Sequence, residues 1–175
     1  MERLIVDGYN VIFAWPELAA LKEVKLQDAR DLLVAILADY AAMTRQKVTV
    51  VFDSHRRSSA AGSEQQVSGV QVIYSGRSAS ADHVIERLVY EARPGDEVTV
   101  ATSDALQRDI TLGKGIKTVS ALVLKVQVEA ALAGRDVQMN DRKARSDLSR
   151  RLEDRLDQKT RERLDRVRRG QDPGG

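Results

Sequence analysis

The sequence predicts an α/β domain over residues 1–134, built on a mostly parallel sheet with helices on both faces, followed by a charged helical extension over 135–175. Short apolar runs alternate with stretches of helical period, and parallel strands need such crossover connections. Two of those runs stop in an aspartate, the pattern of buried strands that deliver a carboxylate to one end of a sheet. Charge separates the two parts. Residues 1–134 carry 15 Lys/Arg against 17 Asp/Glu, a net of −2, whereas 135–175 carry 13 against 9, a net of +4.

RLIVD (3–7) is the first strand and KVTVVFD (47–53) the second. Between them Leu26, Ala29, Leu33, Ile36, Leu37 and Tyr40 recur at helical spacing, which gives an amphipathic helix of about five turns. The polar, Gly/Ser-rich stretch 54–66 reads as a mobile loop, and GVQVIYS (69–75) as the third strand. Ser80 is placed to cap a helix running to Glu91, with Ala81, Val84, Ile85, Leu88 and Val89 on its inner face. RPGD is a turn before a fourth strand, EVTVATS (97–103). Ser103 or Asp104 then caps a helix over 104–112 that Gly113 and Gly115 end. IKTVS is a short fifth strand, and Ser120 caps a helix over 121–134 whose β-branched residues lower its intrinsic propensity. In the extension, Leu148, Leu152, Leu156, Leu164 and Val167 mark a narrow apolar stripe on a long charged helix, and QDPGG is expected to be disordered.

Composition excludes several classes. The chain has no cysteine, so disulfide scaffolds, thiolate zinc sites and cysteine nucleophiles are out, in keeping with a reducing cytosol. No apolar run nears the roughly 20 residues that span a bilayer, and the start lacks a secretory pattern, so no membrane association is expected. The basic extension suits a polyanionic partner or, equally, a solvated mixed-charge helix.

Three acids stand where chemistry is expected: Asp7 in IVDGYNVI, Asp82 in SADHVIERL and Asp104 in VATSDALQ. An Asp at a strand end is commonly a turn or cap residue, and one in a first helical turn answers the helix dipole. Three such segments together instead suggest a crevice in which Mg²⁺ or Mn²⁺ holds a phosphate ester. Gly8 permits close backbone approach and Asn10 offers an amide to a water or a phosphate oxygen, while Asp53 comes from the second strand. Thr102 and Ser103 stand beside Asp104, and Glu86 is four residues beyond Asp82 on the same helical face. Arg56 and Arg57 lie at the expected edge of the crevice, as backbone-binding groups or as ordinary loop arginines. Trp15 is favoured as a hydrophobic plug over a base-stacking group, and neither His55 nor His83 points to histidine catalysis. The nucleotide-binding glycine fingerprints are absent.

IVDGYNVI, ARDLLVAILADYA, VVFDS, SADHVIERL, VATSDALQ and GKGIKTVSA occur in this order over about residues 1–133. In these segments the chain resembles the YacP-like branch of NYN-domain proteins, within the wider PIN-like nuclease group. The resemblance implies a PIN-like three-layer α/β/α fold and cleavage of single-stranded RNA dependent on Mg²⁺ or Mn²⁺, with mRNA and the ribosome as partners in the cytoplasm. Carried over by motif, Asp7, Asp82 and Asp104 are the metal-binding, catalytic acids, supported by Asn10, Asp53, Ser103 and Glu86. The sequence departs from the family pattern at Leu122, Val123 and Leu124, where a polar or charged stretch is usual, and in its individual 54–66 loop. The rival readings are a non-catalytic RNA- or ribosome-binding module and a small phosphatase with a similar acidic pocket.

Overall fold

A computed structural model of the chain describes residues 1–53, 62–76, 79–102 and 116–134. Arg56, Arg57, Ser103 and Asp104, the expected 104–112 helix and the extension beyond 134 lie outside the described residues. The chain divides into two compact units, Met1–Leu132 and Ala133–Gly175, and the sheet belongs to the first.

The order of elements is β1 (Glu2–Asp7), α1 (Gly8–Ala14), α2 (Pro16–Val24), α3 (Leu26–Thr44), β2 (Lys47–Phe52), β3 (Ser63–Val67), β4 (Val70–Tyr74), α4 (Ala81–Tyr90), β5 (Glu97–Ala101) and β6 (Lys117–Val119). A last helix, α5, covers 121–134. The six strands lie in the order β3-β4-β2-β1-β5-β6, all parallel to their neighbours except β3, which pairs antiparallel with β4. Connections from β1 lead through β2 to β4 on one side, and β5 and β6 fill the other. The order therefore reverses beside β1, and the carboxyl ends of β1 and β5 flank the crevice that open α/β sheets use for ligands.

Alternation along the strands assigns each side chain to a face. Leu4, Val6, Val48, Val50, Phe52, Val70, Val72 and Tyr74 join one core, beneath α1, α2, α3 and α5. Ile5, Val51, Ile73, Val98 and Val100 join the other, beneath α4, whose five expected inner residues are all buried there. Burial on both faces is why these strands read as continuous apolar runs. The three-layer architecture and the mostly parallel sheet are those the sequence predicts.

One segment without an assignment in the sequence proves helical, and one differs from expectation. Residues 8–24, between the first strand and the long helix, fold as two short helices. Trp15 separates them, 1% exposed, and its indole Nε1–H donates to the Ala121 carbonyl oxygen at 2.7 Å. It is the plug that ties α1 and α2 to α5, and Pro16 opens α2 where a missing N–H costs nothing. The correction concerns 54–66, read as a loop throughout: Ser63–Val67 is an edge strand. It returns through a two-residue turn in which Ser68 and Gly69 both have positive φ, 49° and 85°, the backbone of a hairpin turn whose twist matches its strands.

Candidate active site

Asp7 ends β1 and caps α1, its Oδ1 accepting the Asn10 backbone N–H at 3.2 Å. The residue after it must be glycine for a reason of packing. A Cβ on Gly8 would lie 2.3 Å from Cε1 and 2.5 Å from Cδ1 of Phe52. That ring is fully buried, stacked on Tyr74 and edge-on to Tyr9 at centroid distances of 5.4 Å each. Close approach by an aromatic ring, expected only in general terms from the sequence, thus seats the DGYN turn on the sheet.

Strand parity sets the direction of the polar groups. Ile5 faces α4, so Asp7 two residues on faces the same way; Val51 and Ile73 likewise place Asp53 and Ser75 on that side. The Ser75 hydroxyl donates to Asp53 Oδ1 at 3.4 Å and Ser75 N–H to the Phe52 carbonyl at 2.9 Å. Thr102, buried directly after β5, follows the parity of Val98 and Val100. Asp82 comes to this end from the first turn of α4, with Glu86 half-buried one turn further along.

Electrostatics report the same convergence. Burial pushes the Asp7 carboxyl above the ordinary aspartate range; the backbone N–H groups of Asn10 and Tyr9 pull it back, and the nearby Asp82 and Asp53 charges push it up. Asp82 and Asp53 are thus near enough for their charges to act on Asp7, and Asn10 lies on the first turn of α1. Among the described residues no three carboxylates or imidazoles stand close enough together to hold a metal ion. The donor type suits a hard divalent cation, and Asp104, the third expected acid, lies outside the described residues. His83 is exposed and its Nδ1 lies 2.8 Å from the Ser80 hydroxyl that caps α4, the unremarkable role expected of it.

One group beside the site was missed in the sequence. Arg30, 6% exposed on the inner side of α3, donates through Nε to the Tyr9 phenol oxygen at 2.9 Å, through Nη2 to the same oxygen, and through Nη1 to Gln27 Oε1 at 3.0 Å. Its signal was its spacing: Arg30, Leu33 and Leu37 fall on one helical face, so a guanidinium occupies an apolar position.

A mostly parallel sheet whose first strand, at the switch point, runs into DGYN defines the class. The chain belongs to the YacP-like NYN domain family, whose model matches residues 4–169. It is similar to the uncharacterized protein YacP of Bacillus subtilis (strain 168), 37% identical over 132 residues that make up 74% of this chain and 76% of the relative. The crystal structure of Rae1 (YacP) from Bacillus subtilis is similar over 97% of this chain and 96% of that one, at 33% identity and a TM-score of 0.69. A tryptophan-to-leucine variant of Rae1 matches over 83% and 85%, at 35% identity and a TM-score of 0.68. Membership places the chain among nuclease-like, RNA-related proteins. Among the described residues no helix is long and apolar enough to cross a membrane.

Proposed function

We propose that this protein is a divalent-metal-dependent endoribonuclease that hydrolyses single-stranded RNA, with ribosome-associated mRNA in the cytoplasm as its substrate. The observation that carries this reading is the Asp7 carboxyl, set at the switch-point end of β1 and raised in pKa by burial and by the facing Asp82 and Asp53 charges. A buried carboxyl with like charges nearby is a state suited to holding a cation. Asp7 and Asp82, joined by Asp104 from the segment after β5, would hold Mg²⁺ or Mn²⁺, and that ion supplies an acidified water and positive charge against the phosphodiester.

The chain's own residues do the rest. The α1 cap fixes the Asp7 carboxylate through the Asn10 N–H, with the Tyr9 N–H also acting on it. Asp53, oriented by Ser75, adds negative charge beside Asp7 and can accept a proton from a water in reach. The Asn10 carboxamide can donate to a phosphate oxygen, and Ser103 and Glu86 can orient waters at the rim. Phe52 and the Gly8 turn hold these groups still, and preorganisation of this kind is worth most at the reacting phosphate.

That no three acids cluster among the described residues favours one competing reading, an RNA-binding module without catalysis. The experiment is cleavage of end-labelled single-stranded RNA with Mn²⁺, Mg²⁺ or EDTA. Wild-type protein should cut only with a divalent ion, and Asp7→Asn and Asp82→Asn should lose at least a hundredfold in rate with the fold intact. Binding without cutting establishes the module. Turnover of small phosphoesters but not RNA establishes a phosphatase.

A further inference from the structure

Phe13 is a large apolar side chain left 51% exposed on α1, the helix that Asp7 caps. Isolated exposed apolar residues are common on any surface, but Phe13 is not isolated. It stands four residues after Tyr9 on α1, and the two rings stack at 6.2 Å between centroids and 26° between planes. The Lys22 ammonium from α2 sits 4.4 Å from the centre of the Phe13 ring. On the other side Arg30 lies 5.4 Å from the Tyr9 ring centre and grips its phenol oxygen, so Tyr9 cannot swing away. Among the described residues no carboxylate pairs with Arg30, and its buried charge is met only by the neutral Tyr9 and Gln27 oxygens.

A buried guanidinium without a counter-anion is costly, and a net −2 body has few cations to spare for a polyanion. Here two cations flank two stacked aromatic rings, on a helix whose first residue follows Asp7. Phe13 lies six residues beyond Asp7, about 9 Å along a helix axis. Stacking faces beside positive charge are how single strands are gripped without reading sequence.

We propose that the Tyr9–Phe13 shelf, flanked by Lys22 and Arg30, is a base-stacking subsite that seats a nucleobase of single-stranded RNA beside the phosphodiester held at Asp7. The assignment rests on the ribonuclease reading. Phe13 offers its open surface to the base, Lys22 meets a phosphate, and Arg30 acts as a positioning residue that fixes Tyr9.

The test uses the full chain in EDTA, so that binding is read without turnover, and single-stranded RNA carrying 2-aminopurine at successive positions. One position should be quenched on binding, and Phe13→Ala should abolish that quench and weaken Kd about 5- to 150-fold. Phe13→Trp should restore both, whereas Phe13→Leu should not, because leucine covers the surface without an aromatic face. Lys22→Gln should lower the logarithmic salt slope by about 0.7. Fully paired RNA, whose bases are already stacked, should bind wild type and the three Phe13 variants alike. Wild-type binding and quenching in Phe13→Ala, at an unchanged melting temperature, overturns the shelf and leaves the ribonuclease reading standing if Asp7→Asn still abolishes cleavage. Phe13-dependent binding with no cleavage under any metal keeps the shelf and overturns the nuclease. If the wild-type chain binds no single strand, both fall.

Discussion

Replacing Gly8 with alanine tests the seat of the crevice directly. The new methyl would stand 2.3, 2.5 and 2.9 Å from three atoms of the Phe52 ring, where carbon atoms normally rest at about 3.5–4.0 Å. The ring would have to retreat by more than about 1 Å, yet it is fully buried between Tyr9 and Tyr74. Overpacking of this kind costs about 1–3 kcal/mol. Alanine's advantage over glycine within a helix returns about 0.5–1 kcal/mol, leaving a net loss of about 0–2.5 kcal/mol, centred on about 1.25 kcal/mol. For a chain of this size the central value lowers Tm by about 2.5–5 °C, readable by circular dichroism or calorimetry.

Cleavage should fall further than stability, because displacing Phe52 disturbs Asp53, the next residue, and Tyr9 on the opposite edge. A second change makes the reasoning specific. Phe52→Leu removes the atoms that clash, so the Gly8→Ala/Phe52→Leu protein should be more stable than the sum of the two single losses by about 0.5–3 kcal/mol. If Gly8→Ala melts at or above the wild-type temperature, or if the double variant is simply additive, the close approach does not constrain the DGYN turn and the packing argument fails.

Two other outcomes are expected. The folded-state pKa of Asp7 is raised, so its charged form is disfavoured by folding: the penalty is present above the raised value and is relieved as pH falls through it toward the ordinary carboxylate range. Without divalent ions, Asp7→Asn, which keeps a good cap, should therefore resist urea better than wild type at neutral pH, with the gap closing by about pH 4; Asp7→Ala should forfeit about 1 kcal/mol of that gain through the lost cap, and equal urea midpoints for Asp7→Asn and wild type at neutral pH would refute the burial penalty on the charged carboxylate. Deleting everything after Arg142 removes most of a segment whose net charge is +4 beside a −2 body; RNA affinity and its salt dependence should drop while turnover at saturating RNA holds, and unchanged salt slopes would make the extension a structural or self-associating element instead.

What was legible in the sequence follows from which forces act locally. Helix α4 was readable from end to end because Ser80 caps it, accepting the His83 N–H at 3.3 Å, and its five buried residues keep the helical period. Strands β1 and β2 announced themselves by apolar runs that only two-sided burial explains. Strand β3 was invisible: SEQQV is exposed at all five positions, and its conformation comes from the partner β4 rather than from its own pattern. Helices α1 and α2 were overlooked because seven and nine residues are too few to show a period, although Pro16 was an available start signal. Helix α5 forms despite its β-branched residues, because Leu124 and Val128 are buried in the core. At the site, Asp7 and Asp82 could be named from strand and helix ends. Arg30 carried only its spacing on the apolar face of α3, and its role shows once Tyr9 and Gln27 are seen to hold it.

The same alternation that builds the two cores also divides the labour of the site. Asp7, Asp53 and Asp82 gather on the side of the sheet covered by α4, while Tyr9, Phe13, Lys22 and Arg30 gather on the side of α1, α2 and α3. Negative and positive groups that would neutralise one another if mixed are kept apart by the sheet, and among the described residues neither Lys22 nor Arg30 forms an ion pair with Asp7, Asp53 or Asp82. A single strand lying across the end of β1 would meet cations and aromatic faces on one side and a cation-demanding crevice on the other. Affinity and chemistry would then be separable. Removing the divalent ion should abolish cutting while leaving the shelf's share of binding, and removing the Phe13 ring should weaken binding while leaving the rate at saturating RNA, because each change acts on one side of the sheet alone.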